Sequence, residues 1–464
     1  VKKHFFLLLL VVGLFFVGGL TSSCKKTSGL SLSNITFSVD TLLFDTVFTT
    51  LGSTTQQFKI YNPDSKTVIV QEVELMGGKN SPFRVNLDGV AGTKFENLSI
   101  EGKDSLFAFV DVKLNVNNQP LPMVVEDSIR VRTNGKDYYL NLVVWGQDAY
   151  FHNNETLTDD TWKNDKPHVI FGRVIVDSAK TLTIPAGTKI HLHKNGLLLV
   201  YKGAIHVEGT KDKPVIFQGD RLESFYKDVS GQYFGIWLYH AQSSNVNYAE
   251  IRNGTCGIQV TNSDPSNTKA TLTITNTKIE NHASYGLFLY ENPSLKMENC
   301  VLAKNDRFGL FILQGASYYI NHCDLLDYGQ NENSAALVLK NSFSDPATKT
   351  TKIADMQGTI SNSVIYGAKD YEVLIDTISA LGVKLQLNFT NCLIKWKDEQ
   401  TSSNFKQIIW NQSPIFKDPS NYDFHFELNS PLNGNADPVL SIPFDIEGNP
   451  RSLSAPDIGA YEMN

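Results

Sequence analysis

The chain has 464 residues, 41% hydrophobic and 19% charged, with a formal net charge of −7. That composition is globular, neither disordered nor fibrous, and the length calls for more than one domain. Without a basic surplus there is no clustered Lys and Arg field for a phosphate backbone, so nucleic acid is not an expected partner.

The chain begins with Lys2 and Lys3, the apolar run FFLLLLVVGLFFVGGL, and TSSC ending at Cys24. A basic end, a short apolar stretch and small residues read as a secretory signal over 1–23. The run is shorter than the roughly 20 residues a bilayer span needs. Small residues before Cys24 resemble a bacterial lipobox, with Thr21 departing from the commoner Leu. The resemblance implies cleavage and acylation at Cys24, hence lipid attachment to the membrane and an outer-membrane, cell-envelope location, on either the periplasmic or the surface face. Residues 24–30 then form a tether.

Residues 31–148 contain the segments QFKIYNP, TVIVQEVEL, LFAFVDVKL, DSIRVRTN and YYLNLVVWGQ, separated by turns rich in Gly, Asn and Pro. Alternation of period two between such turns predicts an antiparallel β-sandwich. The stretch DTLLFDTVFTTLGSTTQQFKIYNP resembles Ig-like domains that precede β-helices in bacterial lipoproteins. The antibody-type Cys pair and core Trp are missing, so only the sandwich carries over. Beside a lipid anchor it reads as a spacer, with 145–160 as the joint.

Further on, the chain repeats. LTITNTKIEN, LKMENCVLAKN, YYINHCDLLD, GTISNSVIYG and LNFTNCLIKW align so that Asn276, Asn299, His322, Asn362 and Asn391 share one column. Thr277, Cys300, Cys323, Ser363 and Cys392 share the next. A period of this size marks a solenoid, with insertions such as KNSFSDPATKTTKIADMQ in loops. Coils stack about 4.8 Å apart, so the amides are expected to form a ladder at a bend, satisfying corner backbone groups. The small column fits a narrow interior of free thiols, with a Cys300–Cys323 disulfide as the alternative. Gly257, Gly286 and Gly309 recur in another column, expected at tight corners that need positive φ.

This pattern resembles the right-handed parallel β-helix, pectate lyase-like superfamily, whose coil motif matches about 246–396. TLTIPAGTKIHLHKNGLLLVYKGAIHVEGTKDKPVIFQG resembles its first coils, and DIEGNPRSLSAPDIGAYEMN resembles closing segments of secreted members. The expected fold is all-β: an Ig-like sandwich, a β-helix over 149–400 and a C-terminal capping segment over 401–464.

The chemistry is less legible. Lyases of this superfamily need clustered carboxylates for Ca²⁺, and no Asp or Glu column recurs; nor are paired hydrolase carboxylates recognisable. No metal or other cofactor is therefore expected, Ca²⁺ entering only under a lyase reading. Trp237 and Tyr239 in GIWLYH point outward as a candidate carbohydrate-binding pair. Arg252, Lys304, Asp306 and Arg307 form a candidate polar corner. His191 and His193, with His206 and Glu208 nearby, are weaker metal candidates. The leading expectation is a lipid-anchored envelope protein binding polysaccharide or another envelope component without catalysis. The alternative is a polysaccharide lyase or glycoside hydrolase acting on glycans that contain uronic acid.

Overall fold

A computed structural model describes residues 34–49, 51–115, 123–261, 271–329 and 331–463. The signal segment, Cys24 and the tether lie outside these residues. The chain divides into two compact units, Val1–Gln147 and Asp148–Asn464.

The first unit has two five-stranded sheets. One pairs Thr36–Phe37, Gln56–Tyr61, Ser105–Val112, Phe83–Leu87 and Val90–Gly92, all antiparallel. The other joins Thr41–Phe48, Lys136–Gln147, Met123–Thr133, Val68–Leu75 and Lys94–Ile100, antiparallel except for the first pair. Alternation turns Phe58, Ile60 and Val110 from one sheet, and Val70, Val131 and Leu142 from the other, into one shared core. This is the antiparallel sandwich read from the sequence. The hairpin at Asn134–Gly135 has φ of 50° and 74°, a turn that suits Asn-Gly. The stretch read as a joint is mostly strand: Tyr150–Leu157 pairs in parallel with His168–Val176 and starts the second unit.

The second unit is a parallel solenoid with three columns of strands. Each coil runs through a strand of face C, one of face A and one of face B. In one coil these are Leu272–Thr275, Lys278–Glu280 and Tyr285–Tyr290; in the next, Ser294–Glu298, Val301–Ala303 and Phe308–Leu313. Like stacks on like: Leu272 on Leu295, Ile279 on Leu302, Leu287 on Leu310. The inward columns are mainly aliphatic and buried, and each such aliphatic side chain contributes roughly 1.5–3 kcal/mol.

The amide column is the first of the two residues that turn the corner between faces C and A. Asn276, Asn299, His322, Asn362 and Asn391 all have φ between 47° and 51°. A side chain there must tolerate the left-handed region, which Asn does better than most. Conformation is thus half the reason for the column, and the sequence reading gave only the hydrogen-bonding half. Asn276 donates to Asn247 Oδ1 at 3.0 Å, and Asn299 to Asn276 Oδ1 at 3.1 Å. The column continues where Asn362 Nδ2 meets His322 Nε2 at 3.2 Å. From Asn299 on its members also reach the C-terminal segment: Asn299 donates to the Phe444 carbonyl, Asn362 to the Asp437 carbonyl and Asn391 to the Asn435 carbonyl.

The small column has a specific task. Thr277, Cys300, Cys323, Ser363 and Cys392 each donate to the carbonyl two residues back, at 2.6–3.3 Å. The four cysteines of the solenoid are free and buried, so no Cys300–Cys323 disulfide forms. Burial pushes the Cys392 thiol up to about 12.

The glycine column corrects an expectation. Gly257, Gly286 and Gly309 lie inside face-B strands and not at positive φ. A Cβ on Gly286 would lie 2.7 Å from Asn305 Nδ2 and 2.8 Å from the Gly309 carbonyl. Close approach between coils, not a corner, requires glycine here. The polar insertion is the expected excursion, an antiparallel hairpin of Ser342–Ser344 with Thr351–Ile353.

The C-terminal segment runs along the outside of face A. Its Phe424, Phe426, Leu432, Ile446, Ile458 and Tyr461 cover the outward Val301, Ala303, Leu326, Val364 and Leu393. Arg451, buried, pins it: its guanidinium meets Glu462 at 3.2 Å, Asn299 Oδ1 at 3.0 Å and the Gly459 carbonyl at 2.9 Å. The segment therefore acts as a strap over several coils.

Candidate functional site

Face B has no such cover among the described residues, and its outward side chains are large. In register down the sheet stand Leu199, Trp237, Gln259, Phe288, Phe311 and Val338. Beside them stand Tyr201, Tyr239, Thr261, Tyr290, Leu313 and Lys340. All the rings in these two rows are partly exposed. Strand alternation puts every second residue outside, so the row follows from GIWLY, YGLFLY and FGLFIL.

The rings fall into two clusters. In the first, Tyr201 stacks on Tyr239 at 5.9 Å and 9°, and Trp237 meets Tyr239 edge-on at 5.5 Å. Trp237 Nε1 donates to Thr261 Oγ1 at 2.9 Å, which fixes the indole plane. These rings, with Leu199, Arg173 and Asp177, line a shallow pocket of about 470 Å³. In the second, Phe288 stacks on Phe311 at 5.0 Å and Tyr285 on Phe308 at 5.9 Å. Arg307 lies over Tyr285 and Phe308 and donates to the Tyr285 hydroxyl at 3.2 Å. Partly exposed flat rings beside a few polar groups have the chemistry that the C–H faces of sugars pack against.

The structure places the predicted Trp237 and Tyr239 together in the first cluster. The second cluster went unread, although aligning YGLFLY and FGLFIL under GIWLY would have shown it.

The predicted polar corner separates. Arg252 and Lys304 converge on the strap: the Tyr422 ring lies 5.7 Å from the Arg252 guanidinium and 3.8 Å from Lys304 Nζ. Lys304 also donates to the Ser420 carbonyl at 2.5 Å, and burial holds its ammonium below the usual range. Arg252 pairs at 2.8 Å with Glu280, a buried carboxyl that sequence reasoning missed. Burial pushes Glu280 up, with Arg252 opposing; Tyr422 is pushed up to about 12 by burial. Asp306 accepts from Ser230 Oγ at 3.0 Å, and Arg307 turns to face B. The first two residues hold the strap, and the four form no single site.

The histidines also part. His191 and His193 belong to the face-A side, where His191 is buried against the Gly219 carbonyl and His193 bonds Asp220 at 2.6 Å. His206 and Glu208 stand on face C, where His206 bonds Asn245. Burial lowers His191 to about 4. Among the described residues no three His, Cys, Asp or Glu side chains converge as a metal site.

The family model described as "Right handed beta helix region" matches residues 187–325 and 266–415. Over these residues the solenoid, with its three parallel columns, is similar to the right-handed β-helices that this family model describes. No curated protein matches the sequence significantly. Similar solved structures include a family 123 glycoside hydrolase from Clostridium perfringens, at 11% identity and a TM-score of 0.18, over 25% of this chain and 26% of that one. The chain thus spans about a quarter of that protein's length. Another is the catalytic unit of a thermostable GH87 alpha-1,3-glucanase from Streptomyces thermodiastaticus strain HF3-3, at 10% identity and a TM-score of 0.23, over 76% of this chain and 89% of that one.

Proposed function

We propose that this is a lipid-anchored cell-envelope protein whose β-helix binds carbohydrate without catalysis, through the ring strip of face B. The observation that carries the reading is the pocket where Trp237, Tyr201 and Tyr239 meet Arg173 and Asp177. Rings supply the stacking surface, and the charged pair offers donors and acceptors to hydroxyls. The anchor rests on Cys24 after small residues, and several acyl chains hold a protein firmly at about 0.8 kcal/mol per buried methylene. The sandwich, with its Ig-like resemblance, serves as the spacer between anchor and β-helix.

A glycan array probed with the full chain tests binding. Hits are expected, and Trp237→Ala should weaken them tenfold or more while its thermal unfolding stays near wild type. An array without hits ends the carbohydrate reading. Separately, Cys24→Ser should move the protein from the membrane to the soluble fraction; unchanged fractionation would remove the anchor.

A further inference from the structure

Face C differs along its length. In its early coils the outward polar side chains bond one another. His206 meets Asn245. Asn247 accepts from Thr275 at 2.8 Å and from Asn276 at 3.0 Å, and donates to the Gly209 carbonyl. In the later coils this persists only next to the amide corner, where Ser361 Oγ donates to Asn321 Oδ1 at 3.0 Å. The side chains of Gln357, Thr359, Gln386 and Asn388 make no hydrogen bond to the described residues, and all stand on the outer side. They are in register, Thr359 over Asn388 and Gln357 over Gln386, with Tyr319 and Lys296 continuing the first row.

These groups surround one shallow hollow of about 460 Å³. Its floor crosses Gly358, where a Cβ would come within 2.3 Å of the inward Tyr318 ring. The Tyr319 ring is partly exposed at its side. Each amide carries donors and an acceptor on one end, a match for neighbouring hydroxyls. Charge is balanced, since Lys296 Nζ sits 2.8 Å from Glu298.

We propose that this hollow is a second saccharide site, selective for uncharged, hydroxyl-rich chains and independent of the rings on face B. Amides and the Thr359 hydroxyl take the sugar hydroxyls, and the Tyr319 ring takes a C–H face. A carboxylate-bearing chain gains nothing there, because the single ammonium already has its partner.

Calorimetric titration uses the full chain carrying Trp237→Ala and Phe311→Ala, which disable both ring clusters of face B and leave the hollow intact. The probes are neutral glucan, mannan and galactan hexasaccharides, with a uronic-acid hexasaccharide as comparator. At least one neutral probe should still bind, and better than the comparator. Adding Gln386→Ala and Asn388→Ala, both surface changes, should reduce that affinity tenfold or more. The proposal is overturned if no neutral probe binds this doubly substituted protein, if the added changes leave affinity unaltered, or if the uronic-acid chain binds better. Wild type binding no better than the doubly substituted protein, with that binding still lost on adding Gln386→Ala and Asn388→Ala, would count against the face-B site only.

Discussion

Faces A and B are built from the same alternating strands of the same coils, yet their outer sides differ in kind. On face A the outward residues of the later coils include the small and aliphatic Val301, Ala303 and Val364, and the strap buries them. On face B they are Trp237, Phe288 and Phe311, partly exposed. An outward aliphatic column therefore marks a covered face, a second core outside the solenoid. On the function proposed above, an outward aromatic column marks a face kept for a ligand, because large apolar surface left in water is otherwise a liability.

That contrast can be broken most directly at Arg451. Arg451→Met should destabilise the protein by about 3–5 kcal/mol, since it leaves Glu462 buried without its partner. Hydrogen exchange should accelerate over 424–461 while the coils at 272–313 stay protected. Uniform acceleration would mean that strap and solenoid form one cooperative unit. Next in size, Leu326→Ala on the covered face should cost about 2–5 kcal/mol in denaturant unfolding, as in any core. A loss under about 1 kcal/mol would show that the strap does not pack as described.

Asp324 adds a pH arm. It lies under the strap, accepting from the Ala460 amide at 3.2 Å, and burial pushes its carboxyl from 3.8 up to about 7. The folded chain therefore holds this proton more tightly than the unfolded chain. The stabilising contribution is fully present below the unfolded value and is lost as pH rises through about 7. Asp324→Asn should gain on wild type between pH 4 and 8, by a few kcal/mol at most, read from unfolding midpoints across that range. A constant difference would mean that Asp324 does not titrate there. The smallest change is expected on face B, where Phe311→Ala should cost only about 1 kcal/mol for its lost ring contacts. If it destabilises as much as Leu326→Ala, face B is covered after all.

Much of this was legible in the residues. Strand alternation gave the sandwich and the inward columns, and the repeat gave the stacking of Asn276 on Asn299. The sequence predicts a closing segment over 401–464, but its course along face A was not legible, because SPLNGNADP has no periodic signal and gains order only from the face it covers. Nor was the division of the polar corner: Lys304 and Asp306 are two residues apart, but a left-handed residue at Lys304 (φ 53°) redirects the chain. Glu280 stayed unread because a carboxylate in a strand pattern looks solvent-facing until the element above it is known.

The sequence by itself determined the coil, since period, alternation and amide spacing act between neighbours along the chain and between equivalent positions of successive coils. Only the tertiary structure decided which face is closed and which is open. That choice depends on where a segment distant in sequence lies down, and its buried Arg451 finds partners that no local pattern announces.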